Sequence, residues 1–355
     1  MWKVNDEVIK KIENALRKEY EEIEKELENS KVEWRDLPEE EEREICGVDG
    51  SRGIEKLFGA VVYVVSSASI SKDVEELHDV NVLKFHRNIE ERIRLQMHTF
   101  EFRIANDSDA EVVLIDGTLS GAIIRPPAYV QQVDLRTIRK NYELDSLVKD
   151  FIFALNEKVE ERKDVMHSRD LFEVLEKRYK VKESIAEDLL IFLEYLEYLH
   201  SLDKLLEKDV VFVAKNFYTK RFSKMNDAIF LEFLTRKTFN EPKAGYVLFE
   251  EEFSKEIPFK DVFKRIDDAK LYGAFVRLSD GANILMLESN RKIGEKTLSA
   301  MKYAEVHGYP LQLLLAHKYV EIKRREFKNL ICSVLNALDP KFSTFFKDPR
   351  EILYL

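Results

Sequence analysis

The chain has 355 residues, 45% of them hydrophobic and 35% charged, which is enough apolar content for a substantial core and excludes global disorder. Its length suggests one core with a large insertion, or two domains. A formal net charge of −10 argues against a general nucleic-acid coat protein, although local basic patches can still hold an anionic polymer. No apolar run approaches the roughly 20 residues needed to cross a bilayer. The N-terminus lacks a basic-then-apolar leader pattern, so a cytoplasmic location is expected.

In chain order, residues 8–28 repeat Ile9, Ile12, Ala15, Leu16, Ile23 and Leu27 at helical spacing, predicting an amphipathic helix that packs on the body or on a partner. An acidic connector at 39–44 follows. Short apolar runs at 45–49, 58–70 and 80–85 predict three strands in an antiparallel meander. Residues 88–105 carry Ile89, Ile93, Met97, Phe100 and Ile104 on one helical face, and 111–116 is a further strand. The charged, Gly- and Pro-free stretch at about 141–208 reads as a helical insertion between parts of the sheet. Strand character returns at 210–214, 274–278 and 284–287. A helix over 295–307 is expected to stop at Gly308-Tyr309-Pro310. Cys46 and Cys332 are far apart and in apolar surroundings, predicting two buried reduced thiols. The pattern is that of an α/β protein with a mixed sheet.

One local echo carries chemistry: Gly47-Val48-Asp49-Gly50-Ser51 against Leu114-Ile115-Asp116-Gly117-Thr118. Each places an aspartate at the expected end of a buried strand, where α/β proteins gather ligands. Two carboxylates brought together repel, and a hard divalent cation such as Mg²⁺ or Mn²⁺ resolves the conflict with oxygen ligands. Taken singly, each Asp-Gly is also an ordinary turn dipeptide. Glu101, on the helix before the Asp116 strand, offers a third carboxylate, with Glu90 and Glu91 as alternatives. Lys215, at the end of the 210–214 strand, could meet a phosphate. His317, after an apolar run, could ligate a transition ion or orient water. The segment from Lys215 to Lys224 interleaves Lys215, Lys220, Arg221 and Lys224 with Phe217, Tyr218 and Phe222, a mixture suited to single-stranded nucleic acid or to an ordinary loop with partly buried rings.

These segments, with Gly308-Tyr309-Pro310-Leu311 through Ala316-His317-Lys318, resemble the NurA nuclease family in order, separation and Tyr-to-His spacing, over about residues 45–330. The resemblance implies an RNase H-like core, Mn²⁺-dependent 5′-to-3′ exonuclease activity on DNA and single-strand endonuclease activity. It also implies a homodimer acting with the hexameric HerA ATPase in DNA-end resection. Asp49 and Asp116 match the family's metal-binding aspartates, and Tyr309 and His317 match its C-terminal active-site pair. Lys215 matches a basic position after a later core strand. Glu101 is taken as the intervening glutamate. The expected organisation is an N-terminal helical segment (1–44), the nuclease domain (45–330) and a C-terminal tail (331–355). Two rival readings are a different RNase H-like nuclease, such as a junction resolvase, and a non-catalytic adaptor of a DNA-translocating ATPase.

Overall fold

Eight strands form one sheet in the computed structural model, which describes residues 5–85, 88–130, 138–139, 142–252, 257–339 and 341. The apolar tail at 342–355 lies outside them. The first three strands are β1 (Ile45–Lys56), β2 (Val61–Ile70) and β3 (Val74–Leu83), paired antiparallel as a meander. Helix α2 (Ile89–Asp107) then leads to β4 (Val112–Asp116), which lies parallel to β1. Helix α3 (Leu119–Val130) and three further helices, α4 (Leu144–Glu161), α5 (His167–Tyr179) and α6 (Glu183–Leu205), separate β4 from β5 (Val210–Ala214), its parallel neighbour. The sheet is completed by α7 (Asp227–Phe239), β6 (Gly245–Glu251), the short α8 (Lys264–Asp268), β7 (Leu271–Arg277) and β8 (Leu285–Ser289). Strand order is β3-β2-β1-β4-β5-β8-β7-β6, with the last three antiparallel.

Both faces of the sheet are covered, which explains why β2 is buried along its whole length and reads as a nearly continuous apolar run. Side chains alternate across a strand. Val61, Tyr63 and Val65 pack on Ile89, Ile93 and Phe100 of α2, while Val62 and Val64 pack on Phe327 and Ile331 of α11 (Arg324–Ala337). The α2 face continues into a large cluster with α3 to α6. Ile45, Val112, Leu114, Val211 and Val213 face the other way, against α9 (Glu295–Tyr303) and Leu313 of α10 (Leu311–Val320).

Helix α2 is tied to α6 by buried ion pairs. Arg92 binds Glu194 through Nε and Nη2, at 2.8 and 3.0 Å. Arg103 pairs with Glu197, whose carboxylate also accepts the backbone N–H groups of His167 and Ser168. Such groups are tolerated in a core only when every partner is present. These pairs set the position of α2, and hence of Glu101, relative to the sheet.

Several expectations change. β1 does not end at Asp49 but runs to Lys56, because Gly50 to Lys56 stay paired with β2 after β4 has diverged. The helix expected to reach residue 307 stops at Tyr303, and a two-residue hairpin follows, formed by β9 (Glu305–Val306) and β10 (Tyr309–Pro310). His307 and Gly308 take φ values of +53° and +80°, the left-handed pair that a tight hairpin turn of type I′ demands. Cys46 is buried, but Cys332 is exposed on α11, and both are free thiols. Helix α1 (Asp6–Glu28) is capped by the Asn5 side chain, which accepts from Val8 N–H. It buries only Ile23 and Leu27 and leaves Val8, Ile9, Ile12 and Leu16 exposed.

Candidate metal centre

The parallel ladder between β1 and β4 ends at the pair Val48–Ile115. Asp49 and Asp116 are therefore the next residue on each of two adjacent parallel strands, and register alone sends their side chains to the same face. On the far side of β4, Asp116 is paired with Val213, and Lys215 is the first residue beyond β5. Its Nζ lies 3.5 Å from Asp116 Oδ2. The carboxylates thus gather where β1, β4 and β5 separate, the place at which open α/β sheets hold ligands.

Glu101 reaches the same place from α2 and is only 2% exposed. A Cβ on Gly50 would collide with its Oε1 and with Met97 Cγ, so glycine is required there to admit the carboxylate. His98, one turn earlier on α2, sits with Nδ1 2.6 Å from Glu101 Oε2. Sequence reading missed His98, although its three-residue spacing from Glu101 on a helix was a usable signal. Glu90 and Glu91 lie elsewhere. Glu90 pairs with Lys56 and Glu91 with Arg94.

The β9–β10 hairpin and α10 supply the last two groups. Tyr309 Oη donates to Asp116 Oδ1 at 3.2 Å, and its ring lies under Lys215 Nζ, 4.6 Å from the centroid. His317 Nδ1 is 2.7 Å from Asp49 Oδ2. Six predicted residues, Asp49, Glu101, Asp116, Lys215, Tyr309 and His317, are therefore joined through direct contacts or mutual charge. Phe217 and Arg221 are not the open side chains that the interleaved pattern suggested. Phe217 is buried against Phe275, and Arg221 is held by Glu251 and Glu288. Tyr218, Lys220 and Lys224 remain exposed.

Crowding of negative charge shows in the titration of the site. Burial, then the charges of Glu101 and Asp116, push the Asp49 carboxyl up to about 6, against the lowering effect of its bond to His317. Burial and the Asp116 charge hold the Tyr309 phenol above its ordinary range, so it is a neutral donor at every working pH. A dication is the species that relieves such crowding, and three carboxylates with an imidazole form a donor set suited to a hard or borderline divalent ion. Among the described residues no three His, Cys, Asp or Glu side chains are already close enough to hold an ion as placed. Each carboxylate here leans on a protein partner instead: Asp49 on His317, Asp116 on Tyr309 and Lys215, Glu101 on His98.

The strand order β3-β2-β1-β4-β5, antiparallel then parallel, with acidic side chains on β1, β4 and the intervening helix, defines an RNase H-like α/β protein with a carboxylate-rich centre. The model of the NurA domain matches residues 43–322, and the chain belongs to the NurA family. An uncharacterized protein of Methanocaldococcus jannaschii is 30% identical, spanning 92% of each chain. The DNA double-strand break repair nuclease NurA of Pyrococcus furiosus is 27% identical over 90% of this chain and 92% of its own length. A crystal structure of NurA bound to dAMP and manganese covers 97% of this chain and 100% of that one, with 25% identity and a TM-score of 0.82. Among the described residues no helix is long and apolar enough to cross a membrane.

Proposed function

We propose that this chain is a manganese-dependent DNA nuclease, with magnesium as a possible substitute, that hydrolyses phosphodiester bonds at DNA ends. The observation that carries the reading is the juxtaposition of Asp49 and Asp116 on adjacent parallel strands, with Glu101 close enough to raise the Asp49 carboxyl. The similarity to the P. furiosus nuclease and to a NurA crystallised with manganese and dAMP supports both the reaction class and the ion.

In this reading Asp49, Asp116 and Glu101 hold the metal, with His317 as a nitrogen donor. A divalent ion there supplies Lewis-acid activation of water and of the phosphoryl group. Lys215 offsets charge that builds on the scissile phosphate. Tyr309 fixes the Lys215 ammonium over its ring and orients Asp116 through its hydroxyl. A divalent ion held there would compete with the His317 ring for Asp49 and with the Lys215 ammonium for Asp116. Lys220 and Lys224 provide phosphate contacts that the acidic chain otherwise lacks.

The family resemblance supports finer assignments: 5′-to-3′ exonuclease and single-strand endonuclease activity, a homodimer, and action with a HerA-type hexameric ATPase in double-strand-break end resection. Purified protein is assayed on 5′- and 3′-end-labelled linear DNA with Mn²⁺, Mg²⁺ or EDTA. Cleavage that requires the metal and proceeds from 5′ ends supports the reading, and cleavage that survives EDTA overturns it. Co-purification with the ATPase tests the partnership separately.

A further inference from the structure

Beside the metal centre lies a cavity of about 700 Å³, lined by Lys215, Asn216, Phe217, Tyr218 and Ile284 among others and rimmed by Asn283. Lys215 is common to both places: it forms one wall of the cavity and lies 3.5 Å from Asp116. The floor is apolar, made by the buried side chains of Phe217 and Ile284. Tyr218 stands at the mouth with 91% of its surface exposed, the most exposed of the large apolar or aromatic side chains among the described residues. Asn216 and Asn283, both exposed, bring primary amides to the rim. A cation, an apolar floor, an open aromatic face and amides that both donate and accept are the elements that seat a nucleobase of any identity.

We propose that this cavity is a base-binding subsite that takes an unpaired nucleobase of the DNA strand entering the metal centre, with Tyr218 as its stacking platform. The proposal rests on the nuclease reading above and deepens it. A base seated on the Phe217–Ile284 floor with Tyr218 as its stacking partner is out of any duplex stack. The strand therefore reaches Lys215 single-stranded. Because stacking depends on a π-face and the amides can match any Watson–Crick edge, the subsite distinguishes unpaired from paired DNA rather than one sequence from another.

The test is fluorescence anisotropy in EDTA, where cleavage is off, with labelled oligodeoxythymidylate and an abasic oligomer carrying the same number of phosphates. The wild-type protein is expected to prefer the base-bearing oligomer by tenfold or more. Tyr218→Ala is expected to remove most of that preference, Tyr218→Phe to keep it, and the double change Asn216→Ala with Asn283→Ala to reduce it. Binding of the abasic oligomer, which reads only phosphate contacts, is expected to stay the same in all variants. An unchanged base preference in Tyr218→Ala overturns the subsite while metal-dependent cleavage by the same preparation leaves the nuclease reading standing. Failure of the wild-type protein to bind either oligomer overturns the subsite too, and absence of metal-dependent cleavage then removes the nuclease reading with it.

Discussion

The glycine at 50 and the glutamate at 101 occupy each other's space: any side chain at Gly50 would displace the Glu101 carboxylate from the candidate metal centre. Gly50→Ala is therefore expected to leave the fold in place, since the atoms met are the Glu101 carboxylate and Met97 Cγ rather than backbone, and to weaken Mn²⁺ binding. Isothermal titration calorimetry should show a loss of about 10–100-fold, the scale at which disturbing a ligand's support is felt. Unchanged affinity would mean that Glu101 takes no part in holding the ion.

Asp49 carries a cost in the metal-free protein. Its folded-state carboxyl titrates near 6, above the ordinary carboxylate value of 3.8. Ionisation is thus harder in the folded than in the unfolded chain, and stability falls as pH rises from about 4 through about 6, then levels. Asp49→Asn removes that penalty. In EDTA its unfolding free energy, read by urea denaturation, is expected to match the wild type below pH 4 and to exceed it above pH 6 by up to about 3 kcal/mol. With Mn²⁺ present the order should reverse.

Metal affinity should follow the same group. The ion competes with the proton on Asp49, so Mn²⁺ affinity is expected to fall by about tenfold for each pH unit below about 6 and to flatten above it. Calorimetry across pH 5–8 in buffers of known ionisation heat reads both the affinity and the released proton. A flat profile would separate Asp49 from the binding event.

Tyr309 has two functions that two substitutions divide. Tyr309→Phe loses the bond to Asp116 Oδ1 but keeps the ring beneath Lys215, and a hydrogen bond to a charged carboxylate is worth about 1.5–3 kcal/mol. A drop of about 10–100-fold in single-turnover cleavage is expected. Tyr309→Ala also releases Lys215 and should lose activity further. Equal activities for the two variants would show that the ring does not position the ammonium.

Away from the site, Glu197 neutralises buried Arg103 and accepts two backbone N–H groups at the start of α5. Truncating one partner of such a pair strands the other charge, which typically costs about 3–5 kcal/mol. Urea denaturation of Glu197→Ala should show a loss of that size, and a loss under 1 kcal/mol would contradict the role assigned to the pair.

Much of this architecture was readable from residue patterns, and the misses have physical causes. The α/β class, the meander and the strand at β4 follow from apolar periodicity, and the echo around Asp49 and Asp116 pointed to their adjacency. β6 stayed hidden because its Tyr246-Val247-Leu248-Phe249 run merges into acidic residues, and it lies on the sheet edge, where burial is partial. Helix α7 begins in the basic, aromatic neighbourhood of the 215–224 loop and was not separated from it. Phe217 and Arg221 looked like open side chains because residue type does not reveal direction. The loop turns Phe217 onto Phe275 and Arg221 onto Glu251 and Glu288. Cys332 sits in an apolar string, yet α11 buries Phe327 and Ile331 and turns the thiol outward.

The most direct measurement is the Mn²⁺-dependent cleavage rate of end-labelled linear DNA by Asp116→Asn, using protein whose circular dichroism spectrum and metal-free melting temperature match a folded chain. Asp116 is the residue that joins Asp49, Lys215 and Tyr309 into one centre, so its carboxylate should be indispensable. A rate reduced by more than about a hundredfold, beyond the loss of a mere supporting partner, is the predicted result. Cleavage within a few-fold of the wild type would contradict the assignment of this centre as the catalytic site.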